Sequence, residues 1–269
     1  MDQSEAGRRR ALWALGALAL AGSLGSLAGD AVRSSSRAPG AAPARHGRRK
    51  AHPRVAPPPA GWTAHALKAR HQPVRSLHDL APAAPRNAIA LTIDDGPHPE
   101  WTPRMLDLLA EHEVSATFSL IGLQVQRYPR LAERIVQAGH QLCNHTMHHP
   151  IPFNRLSAGR VKAEITEAQR RISDATGVHA RFFRSPGGSW SPQVVRAAGD
   201  HGMIPIDWDV DPRDWSRPGT RRIAQSMLAC RPGAILLCHD GGGDRSETLR
   251  ALRTVIPRLK HRGMAFVAL

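Results

Sequence analysis

Cysteine is scarce in this 269-residue chain: only Cys143, Cys230 and Cys238 are present. An odd, low count excludes a disulfide framework, and no pair shows the close, repeated spacing of a structural zinc site. Cys143 and Cys238 fall in apolar runs, which suits small buried residues. A Cys230–Cys238 bridge is left open. Internal repeats are also lacking, which excludes a solenoid or a propeller. Acidic residues are in short supply, 22 against 37 Lys and Arg, for a net charge of +15. The imbalance is local: residues 1–86 carry +10 of it, with 14 basic and 4 acidic residues. Once that part is set aside, the charge does not call for a nucleic-acid partner, and none is expected. A basic tail suits an anionic envelope or membrane surface instead.

The first 29 residues read as a targeting segment. Arg8, Arg9 and Arg10 precede a nearly unbroken apolar run from Ala11 to about Ala28, and small residues continue to Gly29. The run has no polar face, so it does not read as an ordinary amphipathic helix. It fits a cleavable signal peptide, with an uncleaved membrane anchor as the rival and twin-arginine export as a further option. Residues 30–85 lack apolar periodicity and are rich in Ala, Pro, Arg and Ser. They read as a basic linker, with some apolar positions between Trp62 and Leu80 able to pack on the domain that follows. A secreted or envelope-associated location is therefore expected.

From residue 86 to 269 the texture changes. Short apolar runs, beginning with NAIALTI at 87–93, alternate with amphipathic stretches ended by glycine or opened by Ser-Pro. About seven strands and six helices in strict alternation call for a parallel α/β fold. Candidate functional residues fall at or just beyond strand C-termini. That is where both barrels and open doubly wound sheets assemble their sites.

Five clusters carry the chemistry. Asp94 and Asp95 are adjacent acids at the end of a buried strand, which are costly to ionise together without a cation; a solvated Asp-Gly turn is the plainer alternative. His145 and His149 are four apart, so that in a helical turn both imidazoles face one ion, with His148 turned elsewhere. Two histidines and a carboxylate make an open three-ligand hydrolytic metal site. Arg184 ends an apolar strand, where a lone charge is expensive and a carboxylate partner is expected. Asp209, Asp211 and Asp214 beside Trp208 and Trp215 suggest a groove with a sugar-facing aromatic. His239 follows the apolar run 234–238, a place for a titratable imidazole acting as general acid.

Together and in this order, these clusters resemble the signature of the NodB-type polysaccharide deacetylases, carbohydrate esterase family four. The resemblance covers about Asn87 to Leu269. It implies a distorted barrel of about seven β/α units, a (β/α)7 barrel. It implies Asp94 as catalytic base, Asp95, His145 and His149 as metal ligands, and Arg184 as the arginine that orients the base. Asp214 matches the acid that tunes the catalytic histidine, His239 the general acid, and Leu237 and Trp215 the walls of the acetyl pocket. Two positions depart from the pattern. Ile93 stands in place of a common phenylalanine, and Gly187 in place of a common aromatic, which opens one wall of the groove. The N–H of Gly187 is available to an oxyanion.

The implied reaction is hydrolysis of N-acetyl groups on a glycan such as chitin oligomers or peptidoglycan. The implied cofactor is a divalent metal, zinc, with cobalt as the alternative, and a monomer is expected. An O-acetyl esterase on xylan-type glycans and a catalytically silent glycan-binding protein are the alternatives.

Overall fold

A computed structural model describes residues 71–269. The leader, 1–29, and the linker up to residue 70 lie outside the described residues. Among those described, no helix is long and apolar enough to cross a membrane.

A short helix α1 (Leu77–Leu80) is followed by strand β1 (Ala88–Asp94), buried at all seven positions. Then come α2 (Trp101–Glu111), β2 (Thr117–Leu120), α3 (Gly122–Arg127), α4 (Pro129–Gln137) and β3 (Gln141–Asn144). The chain continues with α5 (Ala158–Thr176), β4 (Phe182–Phe183), α6 (Pro192–Asp200) and β5 (Ile204–Pro205). It closes with α7 (Thr220–Leu228), β6 (Ile235–His239), α8 (Ser246–His261) and β7 (Ala265–Val267). All strand pairs are parallel, in the order β5-β4-β3-β2-β1-β6, with β7 also paired to β1. The sheet curls into the distorted (β/α)7 barrel.

Local chemistry explains the boundaries. Ser157 caps α5 by accepting from the N–H of Arg160, and the helix ends where Gly177 takes a left-handed φ of 68°. Ser191 caps α6 through the N–H of Val194, with Pro192 in the first turn. Helix α3 was not anticipated from the sequence pattern.

Strand β1 shows how the two faces differ. Ile89, Leu91 and Ile93 pack in the main core with residues of the surrounding helices, such as Met105, Leu109 and Leu252. The alternate residues Ala88 and Ala90 are small and pack against Leu77 of α1 and Ile235. Val74 and Leu80 are likewise buried, with Phe182, Ile204 and Ile206.

This corrects the linker boundary: the packed body starts at or before Val74, not at residue 86. Val74 bridges to Ile206 and Ser76 to Ala234, so this segment ties the β5 edge to the β6 edge. Its N–H and C=O groups are used there, from Val74 N to Pro205 O, from Asp207 N to Val74 O and from Leu77 N to Gly233 O. A barrel with two unpaired edges needs such a closure. Val74, Leu77 and Leu80 carry most of the contact, with Ala81 and Ala84 packed beside them.

Candidate active site

Parallel register sets the height of the functional groups. Asp94 pairs with His239 across β1 and β6, and Asn144 with Phe183 across β3 and β4. His145 and Arg184 therefore follow at one level, with the N–H of Arg184 bonded to Asn144 O. All four emerge at the same end of the barrel, at strand C-termini.

Arg184 is fully buried. Its Nη1 donates to Asp94 Oδ1 at 2.7 Å and to Thr92 Oγ1 at 2.8 Å, and its Nη2 to the carbonyl of Asp207 at 3.0 Å. This is the carboxylate partner that the sequence called for. Burial pushes the Asp94 carboxyl upward, but the Arg184 guanidinium, with His145 and His239, outweighs it and holds Asp94 below its ordinary value.

Asp95 Oδ1 lies 3.5 Å from His145 Nε2 and 3.4 Å from His149 Nε2, and the three donor atoms lie within 4.8 Å of one another. That oxygen is buried without a hydrogen-bond partner. The Nδ1–H of His145 donates to the carbonyl of Arg184 at 2.8 Å, which leaves Nε2 as the lone-pair nitrogen facing the cluster. An orphaned carboxylate oxygen beside two histidines is what a divalent cation fits. The structure thus brings Asp95, His145 and His149 together.

Their geometry is not that of a helical turn, however. Residues 145–149 form a loop in which Thr146 and His149 adopt positive φ of 66° and 54°. The loop is pinned from outside. The N–H of Thr146 bonds Asn144 Oδ1, and that of His149 bonds Thr146 Oγ1. Gly122 and Leu123 at the start of α3 bond the carbonyls of Thr146 and Met147. His148 turns away, as expected, and both its N–H and its Nδ1 meet the buried carboxylate of Glu164 on α5.

His239 donates from Nδ1 to Asp214 Oδ1 at 2.7 Å, and its backbone N–H bonds the other carboxylate oxygen. Thr248 Oγ1 adds a third donor to Asp214. Burial alone would lower the imidazole, but the Asp214 carboxylate reverses this and His239 is pushed up to about 9. The Asp214 carboxylate thus favours the protonated imidazole.

The cleft that joins these groups measures about 560 Å³, within the range of ligand sites. Asp94, Asp95, His145, His149 and His239 line it, as do Gly187, Trp215 and Leu237. Asp214 lies behind His239, while Asp209 is exposed and outside the lining. Asp94, Asp95, His145, His149, Arg184, Asp214 and His239 are thus gathered at one barrel mouth, while Asp209 is not part of the cleft.

Three buried groups went unassigned in the sequence. Asp240 accepts from Thr102 Oγ1, and burial pushes it up to about 7. Asp207 pairs with Arg75 at 2.8 Å, and burial raises its carboxyl too. Arg245 lines the cleft and donates from Nε to Gly241 O. Adjacency to His239 was a signal for Asp240. Arg245, in a Gly- and Asp-rich loop, carried none. The three cysteines are free and buried, and burial raises their thiols, Cys143 to about 12.

Residues 81–206 match the family model described as polysaccharide deacetylase. The chain is 43% identical to a chitooligosaccharide deacetylase of Bradyrhizobium sp. (strain ANU 289), over 65% of this chain and 86% of that one. It is 38% identical to a peptidoglycan-N-acetylglucosamine deacetylase of Bacillus cereus, over 66% and 84%. Among solved structures it is similar to a CE4 family pseudoenzyme from Bacillus anthracis, with a TM-score of 0.63 and 36% identity over 67% of this chain and 63% of that one.

Proposed function

The chain belongs to the NodB-type polysaccharide deacetylases, carbohydrate esterase family four, and from that premise we propose that it hydrolyses N-acetyl groups of GlcNAc-type glycans, chitin oligomers or peptidoglycan. The reading has Asp94 as base, His239 as acid, and a divalent metal, zinc by preference, at Asp95, His145 and His149.

One observation carries it. Asp94 and His239 end neighbouring strands in register, one held ionised by Arg184 and the other held protonated by Asp214. A base and an acid kept in opposite protonation states at one cleft are what amide hydrolysis needs.

A metal bound there supplies Lewis-acid polarisation of the acetyl carbonyl and a lowered pKa for water. The remaining work falls to the protein. Asp94 accepts a proton from the attacking water, with Arg184 fixing which oxygen faces it. The oxyanion is within the province of the Gly187 N–H on the cleft wall. Leu237 and Trp215 shelter the acetyl methyl. His239 gives its proton to the departing nitrogen, so that acetate and a free amine leave. Asp214 holds the ring through Nδ1, which directs the other nitrogen to the cleft.

The likeness to a pseudoenzyme raises a silent, glycan-binding role. The filled base, ligand and acid positions support catalysis instead. For location, Arg8–Arg10 and the apolar run after them support export, with the basic linker as a tether to the envelope.

The test is acetate release from chitooligosaccharides, peptidoglycan and acetylxylan, with and without chelator. Chelator-sensitive release from the first two is expected. Release from acetylxylan alone would replace the reading with an O-acetyl esterase, and none from any would leave glycan binding.

A further inference from the structure

Among the described residues, Ile151 and Trp215 are the large apolar side chains that stand exposed, 66% and 48%. Both line the active-site cleft. Trp215 already has a place in the acetyl pocket, and Arg213 stacks on it at 5.1 Å. Ile151 has no role in the chemistry, and its aliphatic side chain gains nothing from water.

The loop that carries Ile151 is held at both ends. Two residues before it stands His149, whose N–H is bonded to Thr146 Oγ1. Two residues after it, Phe153 is fully buried and its ring lies 6.0 Å from that of Phe183. Asn154 then ties this loop to the next one. Its N–H bonds Ser189 Oγ and its Nδ2 bonds the carbonyl of Trp190. Ile151 is thus an exposed apolar group on an anchored frame, which is how binding contacts are preorganised.

Gly187 lies beside it. A Cβ placed on Gly187 would sit 3.6 Å from Ile151 Cδ1, in ordinary van der Waals contact. Gly187 also has φ of 59°, a conformation that side-chain-bearing residues adopt with strain. With no side chain over Gly187, the Ile151 methyl groups face the open cleft.

A pyranose ring presents a face of C–H groups to such a surface, and a glycan chain brings a second ring beside the reacting one. We propose that Ile151 is a specificity-determining residue: it receives the apolar face of a sugar adjacent to the one being deacetylated, so that the enzyme prefers a glycan chain over a single acetylated sugar. This rests on the deacetylase reading above and names the substrate form that the site selects.

The experiment compares wild type, Ile151→Ser and Ile151→Leu, all zinc-loaded full-length chains, on N-acetylglucosamine and its β-linked pentamer. Matching melting temperatures are expected, because Ile151 is mostly exposed. Ile151→Ser should raise KM for the pentamer on the order of 10-fold, the loss of one apolar contact. The pentamer-to-monomer ratio of kcat/KM should fall by a similar factor. Ile151→Leu should restore most of it. Equal losses on both substrates, a fall in kcat with KM unchanged, or no change at all would overturn the proposal. If wild type released no acetate from either, the deacetylase reading would fail. Calorimetric binding of the pentamer would then decide the role of Ile151: weaker binding by Ile151→Ser supports the contact, and equal binding overturns it.

Discussion

Arg184 donates from Nη1 to Oδ1 of Asp94 at 2.7 Å, with both side chains withdrawn from solvent. On the proposed reading the two adjacent acids have separate roles, Asp94 as base and Asp95, which faces both histidines, as metal ligand. Asp94→Asn keeps the shape but removes the base. It should retain metal and bind glycan while turnover falls by about 10²–10⁴-fold. Metal analysis beside kcat checks this. Equal metal loss in Asp94→Asn and Asp95→Asn would show that the division is wrong.

With Asp94 as the proposed base, the same pair should set the acidic limb of the rate profile. The base must be ionised, and the guanidinium lowers its pKa. Arg184→Met removes that charge, so the Asp94 pKa rises and the acidic limb of kcat/KM moves to higher pH. Leaving Asp94 buried without its partner should also destabilise the fold by about 3–5 kcal/mol. A pH profile together with thermal unfolding separates the two effects.

With His239 as the proposed acid, it should set the opposite limb. Its pKa is raised to about 9, chiefly because Asp214 opposes the effect of burial. The acid must be protonated, so activity should fall as pH rises through that value. Asp214→Asn should carry the basic limb down toward about 6.5, the ordinary imidazole value. The fold-loss relative to wild type should then grow as pH rises above about 6.5 and level off above about 9. An unmoved basic limb would remove His239 from the acid role.

Metal should follow the buried, unpartnered Asp95 Oδ1 and its two histidines. His145→Ala and His149→Ala should each lower metal content and acetate release together. Glu164→Gln should act more mildly, about 10–100-fold in metal affinity, because Glu164 reaches the loop through His148, and is itself paired with Arg160, rather than through either proposed ligand. Metal titration by calorimetry reads all three.

Val74, Leu77 and Leu80 are buried against the barrel. A chain beginning at residue 71 keeps these contacts, while one beginning at Asn87 should lose about 5 kcal/mol of apolar burial. Given total stabilities of about 5–15 kcal/mol, the shorter chain should be marginal or unfolded. Denaturant unfolding of the two would decide it.

The alternation of strands and helices was legible in the sequence, and so was the list of reactive groups. Both are short-range properties. Apolar runs such as 87–93 declare strands, Ser157 and Ser191 declare helix starts, and acids or imidazoles at the end of a run mark the C-terminal face of a parallel sheet. Register then brings Asp94, His145, Arg184 and His239 to one level with little further information. Other features were decided only by the tertiary structure. The set of His145 and His149 comes from two residues at positive φ, from backbone N–H groups of α3 and from the Glu164 side chain of α5, not from a four-residue spacing. The apolar positions before Leu80 were legible as able to pack, but the pairing of Val74–Leu80 with both barrel edges was not, nor was the burial of Arg245. A loop has no periodicity to announce where its side chains point. Those directions follow from contacts with residues that are distant in the chain, and such contacts exist only once the barrel has closed.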